Sequence, residues 1–128
     1  MNISRTKSCP KIKKRNNIPG TKIPKIIWSF WDSENPPETV KFCMDSWSYW
    51  NPDYLVILLN KKNVNDYIPK VNVLNLRRSS DFPARLSDLI RINILKKYGG
   101  LWTDATNLAT MSFDLFVKEN ILKNNRDP

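Results

Sequence analysis

Two short apolar runs, separated by a segment with helical periodicity, constrain the fold of this 128-residue chain more than any other feature. Residues 25–31 (KIIWSFW) are β-branched and aromatic, and residues 54–59 (YLVILL) are uninterrupted apolar. Short runs of this kind are typical of strands that are covered on both faces of a parallel sheet. Between them, one helical stripe at i, i+3, i+4 and i+7 consists of Val40, Cys43, Met44 and Trp47. The βαβ order predicts an α/β fold with a mostly parallel sheet.

Local signals predict where the helices begin and end. The first helix is expected to open at Asn35, with Pro36 in its first turn, and to stop before Asn51. Asp81 and Pro83 are expected to open a second helix. The remaining predictions are possible short strands at residues 71–76 and 107–111, a strand at residues 100–103, a polar connection over residues 60–67 and a helix over residues 113–122.

The formal net charge of +9 is concentrated at the front of the chain. Residues 1–25 contain eight basic side chains and no acidic one, whereas residues 26–128 are nearly neutral. Residues 1–22 show no apolar period, so we expect a mobile basic tail followed by one domain over residues 23–128. Such a tail can rest on an anionic membrane surface. It can also bind nucleic acid, but that interpretation is weaker because no aromatic rings are interleaved with the charges.

Composition excludes several chemistries. The chain has no histidine, which rules out a Ser/His/Asp triad and a histidine-bound zinc, and its three glycines are too few for a P-loop or a dinucleotide fingerprint. Any chemistry must depend on carboxylates, hydroxyls and arginines. We expect no disulfide framework from the two cysteines and no signal peptide, and the sequence has no apolar run long enough to span a bilayer. We therefore expect a cytoplasmic chain.

The most informative segment is residues 82–106. Asp88 and Arg91 are three residues apart and share a helix face, with Ser87 beside them. One interpretation is an ion pair that anchors the helix. The other is a carboxylate and a guanidinium held at a ligand pocket, because arginine suits the geometry of phosphate and carboxylate groups.

Asp104 lies where the predicted strand at residues 100–103 ends. Ligands of open α/β sheets bind outside the carboxyl ends of the strands, and a carboxylate there can hold a divalent cation. The alternative is a turn residue whose carboxylate accepts backbone hydrogen bonds. Gly99 and Gly100 are expected to end the preceding helix, and their missing Cβ atoms also leave room for a ligand. The rings of Trp47, Tyr49 and Trp50 can stack on sugars, but core packing is the preferred interpretation.

The order and spacing of these parts are more specific than any one of them. The strings A-x-x-S-D-x-x-R and Y-G-G-x-W-x-D-A-T, with IPKIIW-x-x-W upstream, resemble the capsular polysaccharide synthesis family of glycosyltransferases. That family is similar in turn to the DXD-containing sugar transferases of glycosyltransferase family 32. The resemblance extends from residue 23 to about residue 111.

The resemblance implies a Rossmann-like, GT-A type domain that binds a nucleotide sugar together with a divalent metal, Mn²⁺ or Mg²⁺. Asp104 matches the first acid of the DXD motif, and Thr106 stands where the second acid would be, so both are candidate metal ligands. Residues 27–31 match the first strand, whose end lies beside the base. The candidate donor-binding residues are Trp28, Ser87, Asp88, Arg91, Gly99, Gly100 and Asp104.

The expected function is therefore transfer of a sugar from a nucleoside diphosphate to a glycan or lipid-linked glycan in surface polysaccharide synthesis. Family members are longer, so the chain is expected to be the N-terminal half of such a fold, incomplete at its C-terminus, and no catalytic residue can be named. The alternatives are an inactive donor-binding fragment and a basic-tailed scaffold or nucleic-acid-binding protein.

Overall fold

A three-stranded parallel sheet in the order β2-β1-β3 forms the centre of the fold. The computed structural model describes residue 12 and residues 14–68 and 84–126. Within these residues the elements are, in chain order, β1 (Ile26–Phe30), α1 (Glu38–Trp50), β2 (Leu55–Leu59), α2 (Val64–Tyr67), α3 (Ala84–Tyr98), β3 (Leu101–Trp102) and α4 (Phe113–Arg126). The predicted α/β fold with a parallel sheet is confirmed.

Both faces of the sheet are covered. Neighbouring residues of each strand point to opposite faces, and each set packs in its own core cluster. Trp28 packs on the α3 side and Ile27 on the α1 side. The buried residues of the first cluster are Ile26, Trp28, Leu59, Val64, Ile68, Ile90 and Ile94. Those of the second are Ile18, Ile27, Cys43, Trp47, Tyr54 and Ala109. Double coverage explains why the sequence of β2 is apolar without alternation.

The helix α1 begins and ends differently from the prediction. It starts at Glu38, with Pro37 at the N-cap and no side-chain cap, so Asn35 does not cap it. At its C-terminus the buried Asn51 donates through Nδ2 to the Trp47 carbonyl at 2.9 Å. The Asn51 Oδ1 accepts from the backbone N–H of Phe113 at 2.7 Å. One amide therefore joins the end of α1 to the start of α4.

Within the described ranges, no helix is long and apolar enough to cross a membrane.

The possible strand at residues 107–111 does not form. Its backbone groups bond to α1 instead, since the Trp47 indole donates to the Asn107 carbonyl at 2.7 Å and the Ala109 N–H donates to Ser46 Oγ at 2.9 Å. The polar connection over residues 60–67 contains the short helix α2. The possible strand at residues 71–76 and the helix-opening residues Asp81 and Pro83 lie outside the described residues.

The packed part of the chain starts before the predicted boundary at residue 23. Ile18 is only 1% exposed and belongs to the core on the α1 side. The Ile18 N–H donates to the Ile23 carbonyl at 2.7 Å, and the Lys25 N–H donates to the Asn16 carbonyl at 3.0 Å. A single isoleucine among polar residues has no period, so the sequence pattern did not reveal it. Residues 1–11 and 13 of the predicted tail lie outside the described residues.

The turn from α3 into β3 depends on glycine. Gly99 and Gly100 have φ of 75° and 103°, a region that residues with a side chain rarely adopt. A Cβ on Gly100 would lie 2.8 Å from the Ile26 carbonyl oxygen and 3.0 Å from Trp28 Nε1. This close approach seats β3 against β1, and it confirms that α3 ends at the predicted glycine pair.

A network of polar side chains joins the amino ends of β1 and β2 to α4. The Lys25 Nζ lies 2.5 Å from Asp53 Oδ2 and 3.4 Å from Asp114 Oδ2, and the Tyr54 hydroxyl donates to Asp114. The hydrogen bond with Lys25 lowers the pKa of Asp53, and the same bond raises the pKa of Lys25. Burial, followed by the bond to Asp114, raises the pKa of Tyr54.

Replacing Gly100 with alanine is expected to lower the free energy of unfolding by more than about 3 kcal/mol, because strain at positive φ adds to the clash with the β1 backbone. Gly20→Ala is the matched control, since Gly20 also has positive φ but a Cβ there meets nothing within 4 Å. It should cost about 1–2 kcal/mol. Urea unfolding measures both, and equal losses would contradict the close approach.

The Lys25–Asp53 pair predicts a loss of stability in acid. The pKa of Asp53 is lower in the folded chain than its ordinary 3.8, so the pair stabilises the fold above that value. The stabilisation is lost as the pH falls below 3.8 through the lowered pKa. The midpoint of thermal unfolding should therefore fall less steeply in acid for Asp53→Asn than for the wild type. Asp45→Asn, at an exposed position of α1, should keep the wild-type slope. Parallel curves for all three proteins would contradict the assignment.

Candidate functional site

The strand order creates a crevice at the carboxyl ends of β1 and β3. From β1 the chain passes through α1 to β2 on one side, and later through α3 to β3 on the other side. Open α/β sheets bind ligands at such a switch point, outside the carboxyl ends of the strands. Two backbone hydrogen bonds continue the pairing beyond the strands. The Thr103 N–H donates to the Trp28 carbonyl, and the Trp31 N–H donates to the Leu59 carbonyl, both at 2.9 Å. The segments that follow β1 and β3 therefore border this crevice.

Asp104 lies at this edge, two residues after the end of β3. Its backbone carbonyl closes a turn by accepting from the Asn107 N–H at 3.0 Å. Its side chain is exposed, and within the described residues the carboxylate accepts no hydrogen bond and forms no ion pair. The alternative interpretation, a turn acid that accepts backbone hydrogen bonds through its carboxylate, is therefore wrong.

The oxygens at this edge suit a divalent cation that is shared with a ligand. In the described part of the chain, no three carboxylate or thiol side chains cluster in a way that could enclose a metal. Asp104 provides a carboxylate, and the exposed Thr106 provides a hydroxyl two residues later. Mg²⁺ is usually bound through one or two carboxylates together with substrate phosphates and water. The residues present therefore fit a cation that a diphosphate helps to hold.

Asp88 and Arg91 form the predicted i, i+3 pair, with 3.4 Å between Asp88 Oδ1 and an Arg91 terminal nitrogen. Their side chains are 64% and 45% exposed, so the pair stabilises α3 by only about 0–1 kcal/mol. Both distances start from the glycine turn between α3 and β3. Asp88 lies ten residues before the end of α3, about 15 Å back along the helix, and Asp104 lies about 10 Å along β3 and its extension. The pair and the partly buried Ser87 therefore lie toward the same edge as Asp104.

Trp28, a predicted donor contact, has no exposed surface. Its indole donates to the Gly99 carbonyl at 2.9 Å, and its ring packs against Tyr67 and Tyr98. The tryptophan that borders the crevice is Trp31, which follows β1 directly and is partly exposed. Trp31 is not among the predicted donor-binding residues, although the resemblance places the end of residues 27–31 beside the base.

Gly99 and Gly100 also lie away from the crevice. They stand at the start of β3, beside the start of β1, whereas Asp104 follows the other end of β3. The space that their missing Cβ atoms leave is filled by Pro24, by the Ile26 backbone and by Trp28. The expectation that they leave room for a ligand is therefore wrong, and their role is to allow close packing.

A cavity of about 480 Å³ adjoins the crevice along β3. Its lining is mostly aromatic and aliphatic and includes Trp47, Trp102, Phe113 and Phe116. Thr103, the residue before Asp104, forms part of its wall. The polar carboxyl end of β3 therefore lies next to this apolar cavity.

The aromatic cluster of α1 divides between core and surface. Trp47 is fully buried, as the preferred interpretation predicts. Tyr49 and Trp50 are 77% and 43% exposed, so Trp47 is the ring of the three that packs in the core.

Comparison with known proteins gives one family and one curated relative. The family described as capsular polysaccharide synthesis protein matches residues 4–125. Inositol phosphoceramide mannosyltransferase 3 of Schizosaccharomyces pombe is 31% identical over 88 residues. That match covers 64% of this chain and 24% of the mannosyltransferase, so the chain spans about a quarter of this relative's length. No solved structure matches the chain.

Trp28→Phe should lower the free energy of unfolding by about 2 kcal/mol, because it removes the bond to Gly99 and part of a buried ring. Trp31→Phe is the matched control and should cost less than about 1 kcal/mol, since Trp31 lies beyond the strand and is partly exposed. Chemical denaturation of both variants tests the assignment. A larger loss for Trp31→Phe would reverse the roles of the two rings.

Proposed function

The chain belongs to the capsular polysaccharide synthesis protein family, and we propose from this premise that it binds the donor of a glycosyl transfer reaction. The donor is a nucleoside-diphosphate sugar, and the acceptor is a glycan or lipid-linked glycan. The observation that carries the proposal is the exposed Asp104 carboxylate, without a partner among the described residues, beside the switch point of the sheet. The mannosyltransferase relative supports sugar transfer as the reaction class.

The proposed architecture is the donor-binding part of a GT-A type domain. The parallel sheet with helices on both faces supports it, because such sheets bind nucleotides at the carboxyl edge. In this proposal the base lies near the end of β1, where Trp31 offers a partly exposed ring for stacking.

Asp104 and Thr106 would hold the divalent cation, Mn²⁺ or Mg²⁺, together with the donor diphosphate. When bound, this cation neutralises the negative charge that develops on the leaving diphosphate. Arg91 reaches the phosphates from α3, because a guanidinium donates two parallel hydrogen bonds to such oxygens. Asp88, 3.4 Å from Arg91, orients the guanidinium, and the Ser87 hydroxyl is a further donor on the same helix.

Calorimetric titration with UDP, GDP and their sugars, with and without Mn²⁺, tests the proposal. We expect Mn²⁺ to tighten binding of a nucleoside diphosphate by the wild type, and this enhancement to disappear in Asp104→Asn. Arg91→Gln should weaken binding by about tenfold, the loss of a charge-assisted hydrogen bond. Asp45→Asn, an exposed carboxylate on α1, is the matched control and should bind as the wild type does.

Two results would contradict the proposal. The first is an absence of nucleotide binding under every condition while circular dichroism shows a folded chain. The second is a metal-dependent affinity that Asp104→Asn and Asp45→Asn reduce equally. Hydrolysis or transfer assays with the sugar nucleotide that binds most tightly then separate a transferase from a chain that only binds donor.

A further inference from the structure

The N-terminal basic segment crosses the amino edge of the sheet. Ile12 packs against the core on the α3 side, and Ile18 is buried in the core on the α1 side. Between them, Asn16 accepts a hydrogen bond from the Lys25 N–H at the start of β1, and Arg15 is close enough to Asp53 to contribute to lowering its pKa. Lys14 and Arg15 are thus held at the edge opposite Asp104.

The N-terminal segment brings positive charge to this edge. Lys14 is exposed and Arg15 is partly exposed. Four more basic residues precede them in the sequence, and residues 1–25 contain no acid. Asp53 and Asp114, two carboxylates at this edge, both pair with Lys25, at 2.5 Å and 3.4 Å. The resulting surface is complementary to an anionic partner.

Two exposed aromatic rings lie at the same edge. Tyr49 and Trp50 close the C-terminal end of α1 and pack edge to face, with ring centroids 5.4 Å apart and planes at 86°. Trp50 precedes Asp53 by three residues, so their Cα atoms are at most about 11 Å apart. We call the surface formed by Lys14, Arg15, Tyr49 and Trp50 the amino-edge patch.

We propose that the amino-edge patch is a peripheral contact with an anionic lipid bilayer. Tyrosine and tryptophan favour the membrane interface, where the ring meets apolar chains and the polar tip meets water. Lysine and arginine add attraction to anionic headgroups. A single-stranded nucleic acid is a poorer fit, because residues 1–25 contain no aromatic ring and the bases would have only Tyr49 and Trp50 to stack on. Asp45, one turn before Tyr49, opposes the attraction, so both the rings and the basic segment are needed.

The contact is independent of donor binding. The five residues of β1 separate the two edges by about 17 Å. With the amino-edge patch on the bilayer, the crevice at Asp104 faces away from the lipid headgroups. Nucleotide binding and vesicle binding are therefore expected to respond to different substitutions.

Cosedimentation of the full chain with vesicles tests the proposal. We expect binding to vesicles of equimolar phosphatidylcholine and phosphatidylglycerol, weakening with salt, and little binding to pure phosphatidylcholine. Lys14→Gln with Arg15→Gln should weaken partitioning about tenfold. Tyr49→Ser with Trp50→Ser should weaken it about fivefold or more. Phe42→Ser is the matched control, because Phe42 is 66% exposed nearer the other end of α1, and it should bind as the wild type does.

Arg15 contacts the fold, so Lys14→Gln alone provides a second variant at an exposed position, with circular dichroism as the folding check. The proposal is overturned if the wild type sediments equally with both kinds of vesicle or with neither. It is also overturned if Phe42→Ser loses as much binding as the Tyr49/Trp50 variant. A single-stranded oligonucleotide provides the last test. If it displaces the chain from vesicles, and if its own binding is lost in the Tyr49/Trp50 variant, the patch is a nucleic-acid site instead.

Discussion

The close approach of the glycine turn to β1 is the contact on which the rest of the structure depends. Gly100 lies against the Ile26 backbone, and the neighbouring Gly99 carbonyl accepts the indole hydrogen bond of Trp28. Because β3 begins directly after this turn, the turn fixes the register of β3 against β1. That register in turn determines where Asp104 leaves the sheet. The glycine pair, which the sequence placed among the donor-binding residues, therefore lies at the opposite end of β3 from Asp104 and helps to fix the position of Asp104.

The hydrogen bonds of the carboxyl edge explain why Asp104 is suited to a ligand. The turn after β3 is closed by backbone groups and by the Asn107 side chain, whose Nδ2 donates to Thr103 Oγ1 at 3.2 Å. The turn does not use the Asp104 carboxylate, which remains exposed to solvent. A solvated carboxylate costs the fold little, so an exposed Asp104 without a partner is compatible with this turn.

Apolar periodicity was sufficient to predict the sheet and α1, because burial on two faces leaves a clear pattern in residues 54–59. Side-chain spacing likewise predicted the Asp88–Arg91 pair. Periodicity was insufficient where one side chain makes the contact. Ile12 and Ile18 each anchor the N-terminal segment to a different core cluster, and α1 side chains bind residues 107–111 in place of a strand partner. The burial of Trp28 was missed for another reason, since Trp28 and Trp31 belong to one aromatic run and only the end of β1 shows which of them is buried.

The two edges of the sheet differ in what their polar groups do. At the amino edge, Lys25, Asp53 and Asp114 bond to one another and tie β1 and β2 to α4, so most substitutions there will alter stability. At the carboxyl edge, the side chains of Asp88, Arg91 and Asp104 are exposed and contribute little to stability. Residues at that edge can therefore be selected for ligand chemistry without loss of the fold. This separation leaves the Asp104 carboxylate available to a ligand, because the described part of the fold does not use it.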